Sequence, residues 1–243
     1  MVAALADSKP SVFWLDSRRA PEPLPPLVGE RRCELGVVGG GFTGLWAALL
    51  AAEQGEDLAL LEADRCGWGA SGRNGGFLEA SLTHGLENGL SRWPDEIDRV
   101  LELGRENFAA IRETVERRGI DAAWNDGGLI EVATRRHEVA WLEEAAETAR
   151  AHGENVLLLD REATRAEVDS PTYLAGLWQR GTSATVDPGR RLGPPPRGAR
   201  ERRIFERSAV RRLRRNEGGG ASRDGAGRPA RRSGRARHER LPA

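Results

Sequence analysis

The sequence predicts an α/β fold whose parallel sheet is split in sequence and is followed by a β-rich region that is begun but not completed. Leu35 to Val38 and Leu58 to Leu61 are short apolar runs without alternation, as expected of strands buried on both faces of a parallel sheet. Between them Leu45, Ala48, Leu49 and Ala52 recur at helical spacing and Gly55 supplies a stop, so the three segments make one βαβ unit. Further on, β-prone runs flank a turn signal near Trp124, which opens strands of a second sheet.

A lead-in over residues 1–33 comes first. Asp7 and Lys9 stand where a secretory signal would carry a continuous apolar stretch, so export is not expected. Pro21, Pro23, Pro25 and Pro26 exclude regular structure, while Val12, Phe13, Trp14 and Leu15 are apolar enough to dock on a surface. The βαβ unit then opens a region over residues 34–120. Its last element is a helix that starts at Pro94, in which Ile97, Val100, Leu101, Phe108, Ile111 and Val115 repeat at helical period until Gly119.

Residues 121–189 form the next region. Asn125-Asp126-Gly127-Gly128, set between Trp124 and the run Leu129 to Val132, predicts a hairpin. A helix follows from about His137 to His152, carrying Val139, Leu142, Ala145, Ala146 and Ala149, and Gly153 is its natural stop. Val156 to Leu159 resembles another strand. The last stretch, 190–243, is rich in Arg, Gly and Pro and is expected to be disordered, because it has almost no large apolar residues to bury.

The formal net charge of the 243 residues is zero, yet residues 1–189 hold 19 basic and 32 acidic side chains and residues 190–243 hold 18 arginines and 5 acids. The balance therefore hides an acidic body and a basic tail. Two cysteines, Cys33 and Cys66, show no metal-ligand spacing, so neither a disulfide framework nor a metal site is expected; a reducing, cytoplasmic setting fits. Leu35 to Ala52 is 18 residues without a charge, which touches the lower limit of a membrane span. Gly39, Gly40, Gly41 and Gly44 within it would each weaken a helix by about 1 kcal/mol, so no membrane span is expected.

Gly39-Gly40-Gly41-Phe42-Thr43-Gly44 satisfies G-x-G-x-x-G directly after an apolar strand and at the head of a helix. The first glycine permits the tight turn, the second lets backbone approach a pyrophosphate, and the third lets the helix lie against the strand. The helix N-terminus then faces the phosphates with unpaired N–H groups and a positive dipole end. Glu62 closes the second strand 18 residues after Gly44, close to the position of a carboxylate that accepts bonds from ribose hydroxyls. Together these point to a dinucleotide, and FAD and NAD share such a first unit.

The choice between them rests on Gly67 to Gly76, which reads Gly-Trp-Gly-Ala-Ser-Gly-Arg-Asn-Gly-Gly. This stretch resembles the second glycine-rich loop of the FAD-dependent oxidoreductases that include D-amino acid oxidase, sarcosine oxidase and glycine oxidase, with bacterial γ-glutamylputrescine oxidases the most similar. The resemblance places Ala70, Ser71, Gly72, Arg73, Asn74, Gly75 and Gly76 along the pyrophosphate and flavin, and Phe13-Trp14-Leu15-Asp16 also looks familial. Small residues let backbone N–H groups approach an anion, and Ser71, Arg73 and Asn74 add donors.

The resemblance implies FAD as cofactor and a small-molecule amine or amino acid as substrate. The implied reaction is oxidation of a carbon–nitrogen bond by hydride transfer to the flavin, giving an imine that hydrolyses. No catalytic residue is named from the sequence; His84 follows the flavin loop and could face the ring. The oligomeric state is not legible.

The likeness continues through Ala175-Gly176-Leu177-Trp178 and Ala184-Thr185-Val186-Asp187-Pro188-Gly189, then stops. Relatives would continue with an amphipathic helix, whereas Pro194, Pro195 and Pro196 exclude one. It returns at Ile204-Phe205-Glu206-Arg207-Ser208-Ala209-Val210, which resembles the family's next strand. A truncated family member whose reading frame is lost, regained and lost again would have this pattern.

Other classes stay open. A catalytically inactive remnant could bind FAD or ADP without turnover, and an NAD-dependent dehydrogenase would keep the first motif but leave Ser71 to Gly76 unexplained. The 18 tail arginines could bind phosphates without sequence preference, yet only Phe205 among them could stack on a base, so no specific nucleic acid is expected.

Overall fold

The computed structural model describes residues 10–17, 20–188 and 204–213, together with the backbone of Gly234–Ala236. In chain order the elements are β1 (Arg31–Cys33), β2 (Leu35–Val38), α1 (Phe42–Glu53), β3 (Leu58–Leu61), β4 (Phe77–Glu79), α2 (Leu86–Arg92), α3 (Ile97–Arg117), β5 (Leu129–Ala133), α4 (Arg136–Ala151), β6 (Val156–Leu159), α5 (Arg161–Glu167), β7 (Ala175–Gln179), β8 (Ser183–Thr185), β9 (Ile204–Phe205) and β10 (Gly234–Ala236). Single 3-10 turns stand at Phe13–Leu15, Ala70–Gly72 and Pro94–Glu96. The chain divides into two compact units, one of residues 1–74 with 188–243 and one of residues 75–187.

The first unit is built on a parallel sheet of order β2-β3-β9. Leu35 to Val38 lie beside Leu58 to Leu61 in register, and Leu60 and Leu61 face Ile204 and Phe205. Every residue of β3 is buried, and each leucine withdrawn from water contributes about 1.5–3 kcal/mol; β2, at the edge of the sheet, leaves Leu35, Gly36 and Val38 exposed, contrary to the expectation of burial on both faces. Ala48 of α1 packs with Leu58, Leu60 and Cys66, flanked by Leu45, Ala51 and Ala52. The uncharged stretch 35–52 is thus a strand, a turn and a helix, and among the described residues no helix is long and apolar enough to cross a membrane. β1 pairs antiparallel with β10.

The third strand of this sheet comes from the 190–243 stretch. Ile204 and Phe205 form β9, where the family resemblance expects a strand, and Glu206 and Ser208 just after it are fully buried, so the disorder expected of 190–243 as a whole does not extend to this part. Two apolar residues suffice there because the strand adds to an existing parallel edge. The proline cluster 194–196 and the rest of the tail, apart from residues 204–213 and the backbone of β10, lie outside the described residues.

The second unit holds two antiparallel sheets. In the first, of order β5-β7-β6, Ala133, Ala175 and Leu177 pack against Leu142 and Ala146 of α4. In the second, β4 pairs with β8, and Ala80 and Ala184 pack against Phe108 of α3, with Trp124 on the rim. The helix that the sequence groups with the first region therefore packs within this unit. The hairpin expected around Asn125 to Gly128 does not form. Asn125 bridges to Thr185, whereas all five residues of β5 pair with β7, so the turn links two sheets rather than two strands of one. A full ladder with distant β7 offers more backbone bonds than pairing with the short run before the turn.

Candidate dinucleotide site

β2 ends at Val38, and the chain turns at Gly39, whose φ of 99° lies in the region that suits glycine. The Gly39 N–H donates to the Leu61 carbonyl at 2.9 Å, which ties the turn to the end of β3. Gly41 is the N-cap residue of α1 and brings no side-chain acceptor, and the first turn of α1 contains no acidic residue. A Cβ at Gly44 would overlap the carbonyl oxygen of Gly39, and one at Gly41 would lie 3.0 Å from Ser71 Oγ. Each glycine of G-x-G-x-x-G thus has a geometric reason, and the helix start carries no acidic side chain that would repel an anion.

Glu62 sits at the end of β3, half-buried, beside this turn. Its Oε2 accepts from the Gly40 N–H at 2.6 Å and its Oε1 from the Asp64 N–H at 2.9 Å. Two backbone donors hold the carboxyl in one orientation beside the first glycine turn.

The second glycine stretch repeats the geometry of the first. Gly67 has a φ of 81°, and a Cβ at Gly72, five residues on, would overlap the Gly67 carbonyl oxygen as Gly44 would overlap that of Gly39. The two turns are joined: the Gly67 N–H donates to the Gly40 carbonyl at 2.9 Å, and Ser71 Oγ accepts from the Phe42 N–H at 2.9 Å. The equal spacing of Gly39 to Gly44 and Gly67 to Gly72 was available in the sequence as the signal for this repeat.

The structure brings Gly39, Gly41, Phe42, Thr43, Gly44, Glu62, Ala70, Ser71, Gly72, Arg73 and Asn74 together in the first unit. Arg73 and Asn74 spend side-chain donors on the loop itself. Arg73 Nε donates to the Trp68 carbonyl at 2.9 Å with its guanidinium over the Trp68 ring, and Asn74 Nδ2 donates to the Ser71 carbonyl at 2.8 Å. These bonds shape the turn. Gly75 and Gly76 belong to the second unit, where the Gly76 carbonyl accepts from the Val186 N–H at 2.8 Å. His84, also in the second unit, is exposed with a φ of 56°. Sequence reasoning missed Glu206, whose buried carboxyl accepts from the Cys66 N–H at 3.0 Å at the head of the second turn.

A family model described as FAD dependent oxidoreductase matches residues 34–236. The chain is 38% identical over 169 residues to gamma-glutamylputrescine oxidoreductase of Escherichia coli (strain K12), covering 69% of this chain and 39% of that protein. It is 30% identical over 172 residues to a probable oxidoreductase, OrdL, of Haemophilus influenzae, covering 68% of this chain and 39% of that one. Among solved structures, glycine oxidase from Bacillus cereus superposes with a TM-score of 0.55 at 18% identity over 76% of this chain and 49% of its own. L-amino acid deaminase from Proteus myxofaciens gives 0.60 at 18% identity over 82% and 44%. At such identities the structural likeness concerns the fold. The chain spans 39% of the length of the two curated relatives described.

Proposed function

The chain belongs to the family of FAD-dependent oxidoreductases, and on that premise we propose that it binds FAD and serves the oxidation of a carbon–nitrogen bond in an amine or amino acid. The observation that carries the cofactor part is the pair of matching glycine turns joined by Ser71 and Phe42. The cradle left where no Cβ fits, the acid-free start of α1 and the fixed carboxyl of Glu62 all suit a dinucleotide. In this reading the turn formed by Gly39, Gly41, Phe42, Thr43 and Gly44 lies along the pyrophosphate and Glu62 takes the ribose hydroxyls. Ala70, Ser71, Gly72, Arg73 and Asn74 continue the contact toward the flavin.

When bound, the flavin would supply the acceptor for hydride removed from the carbon next to nitrogen. The chain's own share is to hold the cofactor, and no catalytic side chain is assigned. Amine substrates are proposed because the similar curated protein is a gamma-glutamylputrescine oxidoreductase. A cytoplasmic setting is part of the proposal, supported by two buried cysteines that form no disulfide. A second reading is FAD binding without turnover.

The test is gel filtration of the purified chain after incubation with FAD, followed by an assay of amine-dependent peroxide formation or dye reduction. Flavin absorbance co-eluting with protein supports the site, and turnover then separates the two readings. A protein peak free of flavin would refute both.

A further inference from the structure

We propose that Glu206 is a positioning residue of the dinucleotide site, and that it and the N-terminal lead-in it anchors hold the second glycine turn in the arrangement that receives the pyrophosphate. The inference rests on the FAD reading above and adds residues to it that carry none of the cofactor motifs.

Glu206 follows β9 directly and is fully buried. A carboxyl group withdrawn from water is costly unless its oxygens are bonded, so a buried one marks contacts that matter. Here each oxygen takes a separate backbone amide: Oε1 accepts from the Cys66 N–H at 3.0 Å and Oε2 from the Leu24 N–H at 2.7 Å. Cys66 immediately precedes Gly67, the pivot of the second turn, and its Sγ occupies the space beside Gly40, where a Cβ would come within 2.6 Å. One side chain thus sets the backbone that enters the second turn and, through Cys66, lies next to the first.

Leu24 belongs to the proline-rich lead-in, and the other end of that lead-in grips the same turn. Val12, only 2% exposed, packs against Gly72. The Trp14 indole N–H donates to the Asn74 carbonyl at 2.9 Å, and the Ser11 carbonyl accepts from the Arg73 guanidinium at 3.4 Å. Ser208 supports the anchored end. Its Oγ accepts from the Leu27 N–H at 2.8 Å, and its own N–H donates to the Glu62 carbonyl at 2.7 Å. The lead-in is a clasp fastened at one end on the Gly72 to Asn74 backbone and at the other on Glu206 and Ser208.

The physical purpose follows from the glycines. A loop with glycine at 67, 69 and 72 has many conformations to lose, and that loss would fall on cofactor binding if the loop were unheld. Bonds made before the cofactor arrives lower the ordering cost and so tighten binding.

The experiment compares FAD affinity, read from flavin fluorescence, and thermal unfolding of the full chain with those of Glu206→Gln and Trp14→Phe. Glu206→Gln sets an amide N–H against one backbone donor, and FAD affinity is expected to fall about tenfold or more at a temperature where circular dichroism shows the variant folded. Trp14→Phe removes the indole N–H and keeps an aromatic, though smaller, ring; affinity is expected to fall about threefold with little change in unfolding temperature. Full affinity in both variants, with the unmodified chain binding, overturns the inference and leaves the FAD reading standing. If Glu206→Gln does not fold, Trp14→Phe decides, and full affinity there overturns it. An unmodified chain that binds no FAD overturns both.

Discussion

Ser71 Oγ accepts the Phe42 N–H at 2.9 Å, so a side chain from the second glycine turn caps the helix that the first turn begins. Gly41, at the N-cap position itself, has no side chain to do so. Ser71→Ala should cost about 1 kcal/mol of stability, the usual scale for a lost N-cap, and should also weaken FAD binding. Urea unfolding and a flavin titration measure the two effects. An unchanged midpoint would show that the cap contributes nothing.

At Gly44 two effects oppose each other. Alanine gains about 1 kcal/mol of helix propensity, but its Cβ would overlap the Gly39 carbonyl oxygen, and overpacking of this kind costs about 1–3 kcal/mol. Steric overlap with backbone should win, because neither partner can rotate away. Gly44→Ala is expected to be net destabilising and to lose FAD binding. A variant as stable as the parent, with flavin retained, would refute the close-packing argument.

The Glu62 carboxyl is held by Gly40 and Asp64 N–H groups. Glu62→Gln keeps one acceptor and puts an N–H against the other donor, so FAD affinity should fall about tenfold, the scale of a lost hydrogen bond to a charged group. Isothermal titration with FAD reads this directly, and equal affinity would remove Glu62 from the site.

Glu138, at the start of α4, accepts from the Thr134 N–H at 2.8 Å, the Arg135 N–H at 3.0 Å and the Thr134 hydroxyl at 3.1 Å. The Thr134 backbone bond first, then those of Arg135 and the Thr134 hydroxyl, hold its carboxyl below the ordinary value. A folded value below the unfolded one means the native state binds fewer protons, so this contribution is present above the unfolded value and is lost as pH falls through the folded one. The gap in unfolding temperature between the parent and Glu138→Gln should therefore be widest at neutral pH and close in acid. A gap that does not narrow would assign the effect to something other than ionisation.

Leu142 is 1% exposed in the core of the β5-β7-β6 sheet and α4. Leu142→Ala should destabilise by about 2–5 kcal/mol, read from the denaturant midpoint. A loss under about 1 kcal/mol would mean that this core relaxes to fill the gap.

What was legible depended on sequence separation. β2, Gly39 to Gly44, α1 and β3 could be read because strand, turn and helix interact within about thirty residues and each leaves a periodic or steric mark. α3 and α4 were legible for the same reason, their apolar stripes repeating at 3.6. β4 and β8 carry no such mark, since three-residue strands are too short to show a period. The Asn125 to Gly128 signal was real as a turn but silent about partners; Leu129 to Ala133 chose β7, whose residues lie more than forty positions away.

Local order alone determined the dinucleotide motif of this chain, because glycine sterics and apolar periodicity act between near neighbours. Only the tertiary structure decided that β9 completes the parallel sheet, that the second glycine turn mirrors and caps the first, and that Glu206 ties the lead-in to it. Those are contacts across as many as 182 positions, and a glutamate that buries its carboxyl against two backbone amides looks, in the sequence, like any surface acid. Burial and partner choice belong to the folded chain, since both depend on what distant segments bring alongside.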